Sequence, residues 1–207
     1  MGSATRTATA SACRAGRLDL SAGTLEVAAV AAGSPAAVRW HLVPDPSAAK
    51  MGTSRQVSHS TPFRGGEGIA WGNGLIYFTT KYDNRVWAYD PTAQTIRVIY
   101  DDDRFADPIL TGVDNVVVAP SGDVIVAEDG GDMQLVAITP GGDVRPIVQV
   151  VGHAGSELAG PAFDPSGTRL YFSSQRGPHG GVDEGITFEI RGPFSAQPQE
   201  GRASARP

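Results

Sequence analysis

At 207 residues and 21.6 kDa, the chain holds at most one ordinary domain with tails, or part of a larger one. Apolar residues make up 41%, enough for a core, while 26 glycines and 15 prolines favour short strands joined by tight turns over long helices. A formal net charge of −5 gives no basic footprint for nucleic acid, and no apolar run approaches the roughly 18 residues of a membrane helix.

Residues 1–36 open with MGSATRTATASACRAGRLDL, rich in Ala, Ser, Thr and Arg and with no acid before Asp19. This composition predicts a low-complexity, partly disordered leader; it lacks both the apolar segment of a secretory signal and a twin arginine. The single cysteine, Cys13, lies there, so neither a disulfide within the chain nor a multi-cysteine zinc site is available. From Val38 the texture changes. VRWHLV alternates apolar and polar residues, reads as a strand and ends at PDP, before the polar connector SAAKMGTSRQVSHSTP. Residues 37–194 are expected to form one β domain, and 195–207 a disordered tail.

Strand signals then come in series. A first group covers 68–71, 75–80, 85–89 and 95–100, with turns GNG, YDN and DPTAQ. A second covers 116–119, 124–127, 134–139 and 144–150, with turns PSGD, EDGGD and PGGD. A third begins at Glu157 and covers 160–163, 169–173 and 186–190, with turns DPSG and QRGPHGG. No dozen residues carry a 3.6 period, so the chain reads as all-β. The groups are repeats: Glu67 to Asp114 is 114 − 67 = 47 positions, and Asp114 to Glu157 is 157 − 114 = 43. WGNGLIYFTT, APSGDVIVAE and DPSGTRLYFSS align as three copies of one hairpin. Repeats of roughly 40 to 50 residues with up to four strands each predict propeller blades.

In a propeller the innermost strand of each blade lines a wet central channel, and Glu67, Asp114 and Glu157 stand at corresponding places in three blades. Each acid alone reads first as a solvated turn cap. Three in register are costly unless one is protonated or a cation sits among them, which makes them candidate metal ligands.

The blocks FRGGEG (63–68), YFTTKYDNRVWAYDP (77–91), VDNVVVAPSGDVIVAEDGG (113–131), SELAGPAFDPSGTRLYFSSQRGP (156–178) and GITFEIRGPF (185–194) carry a family likeness. From about Val38 to Phe194 the chain resembles the C-terminal part of the PhoX-type alkaline phosphatases, in an actinobacterial-style branch. The resemblance implies a six-bladed propeller, of which about three blades are present. It also implies calcium and iron as cofactors and a small phosphate ester as substrate, hydrolysed by a metal-dependent phosphatase. Carried over, Glu67, Asp114 and Glu157 match acidic metal ligands. Glu128 and Asp129 match an acidic pair at a strand end, with Glu128 the first choice, and Asn115 is an oxygen ligand or orienter. Arg176, as a catalytic group, stands where it can face a phosphate, and Gln175 beside it is a candidate substrate-binding residue. Lys81, after FTT, reaches a phosphate or faces solvent.

The family's iron site uses a cysteine, and Cys13 lies outside every matched block, so that role is not carried over. The family is typically exported. Half of a six-bladed ring is missing, which predicts a truncated product in preference to a ring closed by self-association of open blade edges, with an active or an inactive chain both open since half the ligand set would lie on the absent blades. Two other functions stand beside the phosphatase: a calcium-dependent lactonase-like propeller, and a non-catalytic propeller scaffold. Asp101, Asp102, Asp103 and Asp107 read as a solvated loop between blades. His153 precedes Glu157 by four residues, but VGHAGSE is no helix and lacks a metal-pair geometry. His41, His59 and His179 read as surface positions. Ser173 and Ser174 lack the turn of a nucleophile elbow.

Overall fold

The computed structural model describes residues 23–195. Most of the expected leader, including Cys13, and most of the tail lie outside the described residues. The chain divides into two compact units, Met1–Pro62 and Phe63–Pro207. That boundary falls inside the span 37–194 that the sequence groups as one domain.

In the first unit β1 (Glu26–Val30) and β2 (Ala36–Leu42) pair antiparallel, with Glu26 opposite Leu42 and Val30 opposite Val38. Strand β1 falls within the span 1–36 that the sequence reads as a partly disordered leader. EVAAV has no apolar–polar alternation to announce it; its partners make it extended. Besides β2 these include Thr61, whose N–H donates to the Ala28 carbonyl at 2.9 Å and whose Oγ1 accepts the Val30 N–H at 2.8 Å. His41 and His59, expected at the surface without partners, meet edge-on with ring centroids 4.1 Å apart.

The second unit is all-β, built of three antiparallel sheets in chain order. The first holds β3 (Gly66–Gly72), β4 (Leu75–Thr80), β5 (Arg85–Asp90) and β6 (Thr95–Asp101). The second holds β7 (Val113–Val118), β8 (Val124–Glu128), β9 (Gln134–Ile138) and β10 (Val144–Gln149). The third holds β11 (Leu158–Phe163), β12 (Arg169–Ser174) and β13 (Ile186–Arg191). β3 packs beside β7, and β7 beside β11, so the leading strands of the three sheets are neighbours. These are blades of an incomplete propeller.

Local chemistry accounts for the turns. Asn73 and Gly74 both take positive φ, 52° and 75°, as a two-residue hairpin turn between right-twisted strands requires. Two apolar layers separate the sheets. Tyr77, Val86, Ala88 and Tyr100 meet Val116, Val124, Val126 and Val136 in one. Ile125, Ala127, Leu135 and Ala137 meet Leu158, Leu170 and Phe172 in the other. Every residue of β8 is therefore buried, which is why VIVAE reads as a continuous apolar run with one acid at its end.

Each leading strand carries a register shift near its start. The shifts lie between Gly66 and Ile69, between Val113 and Val116, and between Ala159 and Ala162. An extra residue in one strand of a pair bends it and re-aims its side chains. The strands accordingly begin two or three residues before the apolar signals do, because Gly, Asp and Asn at the bulges look like turn residues.

Candidate functional site

The bulges free backbone groups that the ladder no longer pairs, and side chains from neighbouring sheets take them up. Thr79 on β4 accepts the Gly68 N–H at 2.9 Å and donates to the Asp114 carbonyl, tying the first bulge to the second. Asn115 Oδ1 accepts the Gly160 N–H at 2.6 Å, tying the second to the third. Its Nδ2 donates to Asp114 Oδ1 at 2.6 Å, which fixes that carboxylate. Asn115 thus orients a carboxylate, and its own oxygen is already engaged.

Around this seam carboxylates gather from the second and third sheets. Asp114 leaves the bulge of β7, Asp129 follows the last residue of β8, and Glu157 precedes β11. One oxygen from each lies within 4.8 Å of the other two. Lys81, directly after β4, donates to Asp129 Oδ2, and its Nζ lies 3.9 Å from Asp114 Oδ2. Arg176, just after β12, places Nη2 3.5 Å from Asp129 Oδ1 and Nη1 3.4 Å from Glu157 Oε1. Glu67, exposed on β3, stands outside the tight group of three, but its charge bears on Asp114 and Lys81.

The electrostatics follow from that crowding. Burial pushes Asp114 above the usual aspartate value, and the Glu67 charge pushes it further, with Lys81 opposing. Burial also raises Glu157, as do its hydrogen bond with Asp129 and that neighbour's charge. For Asp129, burial acts upward, but the Lys81 hydrogen bond, the one with Glu157 and the two cations outweigh it, so it is held low. Lys81 is raised, first by its bond to Asp129. With Glu67, four carboxylates face two cations, which leaves two negative charges uncompensated when all are ionised. A hard divalent cation meets that deficit with oxygen ligands.

Glu128 is elsewhere, which corrects its place as first choice of the acidic pair. Fully buried, it accepts the Thr111 N–H at 2.8 Å and the Thr111 hydroxyl at 3.3 Å on Oε1, and the Gln134 N–H at 2.8 Å on Oε2. Successive strand residues point to opposite faces, so Glu128 and Asp129 cannot both enter one group. Gln175 is exposed and meets the seam through its backbone, its N–H donating to the Glu157 carbonyl at 2.9 Å. The loop of Asp101, Asp102 and Asp103 is a second acidic group, but Asp101 is buried, not solvated. It pairs with Arg85 at 3.1 Å and Arg104 at 3.7 Å. His179 lies on the surface, its Nδ1 3.0 Å from Glu184. The bridging Thr79 and the partners of His153 had no signal in sequence, since the residues they join are 11 to 35 positions apart.

Residues 81–177 match the family model of alkaline phosphatase PhoX. No curated protein matches. Among solved structures, regucalcin from Agrobacterium tumefaciens, titled a calcium-binding protein, is 23% identical with a TM-score of 0.46, over 63% of this chain and 48% of its own. A streptogramin B lyase is 19% identical with a TM-score of 0.45, over 66% and 43%. Virginiamycin B lyase from Staphylococcus aureus is 18% identical with a TM-score of 0.44, over 74% and 45%. The chain spans less than half the length of each of these structures.

Proposed function

From the premise that residues 81–177 are of the PhoX type, we propose that the seam is part of a cation-dependent phosphoric ester hydrolase site. The observation that carries the reading is the approach of Asp114, Asp129 and Glu157, one from each of three chain segments, to within 4.8 Å. The donors fit calcium: they are carboxylates, and their net charge is negative even against Lys81 and Arg176. An all-oxygen set suits calcium better than iron, which the resemblance also implies.

Asp114, Asp129 and Glu157 would hold the cation, with Glu67 flanking. When bound, calcium neutralises ester charge and makes an oxygen nucleophile available at lower pH. The chain's own residues do the rest. Asn115 keeps the Asp114 carboxylate aimed at the group. Lys81 and Arg176, which otherwise neutralise Asp129, turn to the non-bridging oxygens of the phosphate. Arg176 offers a planar fork for two of them and Lys81 a point charge.

The test is calcium titration calorimetry on the full chain, with p-nitrophenyl phosphate hydrolysis measured at alkaline pH with and without calcium. Calcium uptake is expected, weakened at least about tenfold in Asp129→Asn, together with calcium-dependent turnover. Absence of calcium uptake overturns the proposal, and turnover of a lactone in place of the ester assigns the site to the lactonase-like alternative.

A further inference from the structure

Behind the carboxylates runs a buried chain of hydroxyls. Ser156 Oγ lies 2.8 Å from the Arg176 N–H, 3.3 Å from the Glu157 carbonyl and 2.9 Å from Ser174 Oγ. Ser174 Oγ lies 2.8 Å from His153 Nδ1. Ser174 is fully buried and Ser156 is 2% exposed, so water does not complete their bonding.

The ends of this chain decide its direction. A backbone N–H only donates, a carbonyl only accepts, and each hydroxyl has one proton. Ser156 accepts from Arg176 N–H and gives its proton to the Glu157 carbonyl. Ser174 then gives its proton to Ser156, and its free lone pair must be met by a proton on His153 Nδ1. The local fold brings the imidazole there. The Ser156 N–H closes a tight turn onto the His153 carbonyl at 2.9 Å, and the ring lies against Phe188 with centroids 6.1 Å apart. Phe188 is in turn stacked on Phe172 at 5.2 Å.

We infer that His153 is a positioning residue held as the Nδ1–H tautomer. Through Ser174 and Ser156 it sets the backbone from which Glu157 and Arg176 reach Asp129. Only the affinity readout below rests on the calcium reading of the site; the tautomer and the backbone effect do not.

The first measurement is nitrogen NMR of the labelled full chain at neutral pH. His153 is expected to show a protonated Nδ1; a bare Nδ1 overturns the inference. The second compares two amides. An asparagine amide places its N–H where Nδ1 stands, whereas a glutamine amide places it near Nε2. In His153→Asn the Arg176 amide should keep its slow hydrogen exchange, and calcium affinity should stay within about twofold of wild type. In His153→Gln and Ser174→Ala that amide should exchange faster and affinity should fall about tenfold, the usual cost of losing an outer-shell partner. Equal behaviour of the Asn and Gln variants overturns the inference. If the wild-type chain takes up no calcium, the functional reading fails, while tautomer and exchange still decide the positioning role.

Discussion

Glu128 and Asp129 adjoin in sequence and do opposite work. Glu128 ends a strand buried on both faces and spends both oxygens on the Thr111 and Gln134 backbones. Asp129, one residue later, turns into the seam and meets Lys81 and Arg176. Their neighbours make the site carboxylates titrate apart. Asp114 is raised above 3.8, chiefly by burial, and Asp129, where burial acts upward but the Lys81 contacts prevail, is held below it. Carboxyl-carbon NMR should show Asp114 titrating above 3.8 and Asp129 below. In Lys81→Met both midpoints should rise, since the ammonium lowers each. By linkage, Asp129 contributes stability above its unfolded value, lost as pH falls through its lowered folded value, whereas stability tied to protonated Asp114 is lost as pH rises through its raised one. A fall in either midpoint on removing Lys81 would contradict the geometry of the seam.

At the scale of elements, the leading strands decide where the acids go. The glycines of EGIAWG serve packing: a Cβ on Gly68 would lie 2.5 Å from Val116 N and 2.7 Å from Asn115 Cα, both backbone atoms that cannot swing away. β3 therefore approaches β7 only because residue 68 lacks a side chain, and that approach lets Thr79 span two bulges. Gly68→Ala should cost about 1–3 kcal/mol in urea unfolding, the usual range for overpacking. It should also loosen the bond between Thr79 and the Asp114 carbonyl. Unchanged stability would mean that the two strands stand further apart than described.

Across the second unit, stability rests on the buried strands β8 and β9 of the middle sheet, while the third has one apolar and one polar face. Leu170, Phe172, Phe188 and Ile190 face the shared core. On the other face Tyr171 donates to Glu189 at 2.6 Å, with Arg169 and Arg191 on the same carboxylate group. Leu135, fully buried between the second and third sheets, has no such exposed face. Leu135→Ala should cost about 2–5 kcal/mol by denaturant unfolding, the range for emptying a core leucine site. A value near zero would place β9 at the surface.

The sequence by itself determined the strands, the turns and the repeat, because alternation, Gly-Asn-Asp punctuation and a spacing of 47 and then 43 positions are local or periodic signals. The same periodicity singled out Asp114 and Glu157 among the acids. Tertiary structure alone decided which carboxylates share a site. Successive residues point to opposite faces, so Asp129 enters where Glu128 was favoured, and Glu67 stands at the margin. It also decided that EVAAV is a strand, since its partners lie in other segments. The coupling of His153 to Arg176 through two serines belongs to the same class: hydrogen bonds between residues some twenty positions apart leave no period for a sequence to display.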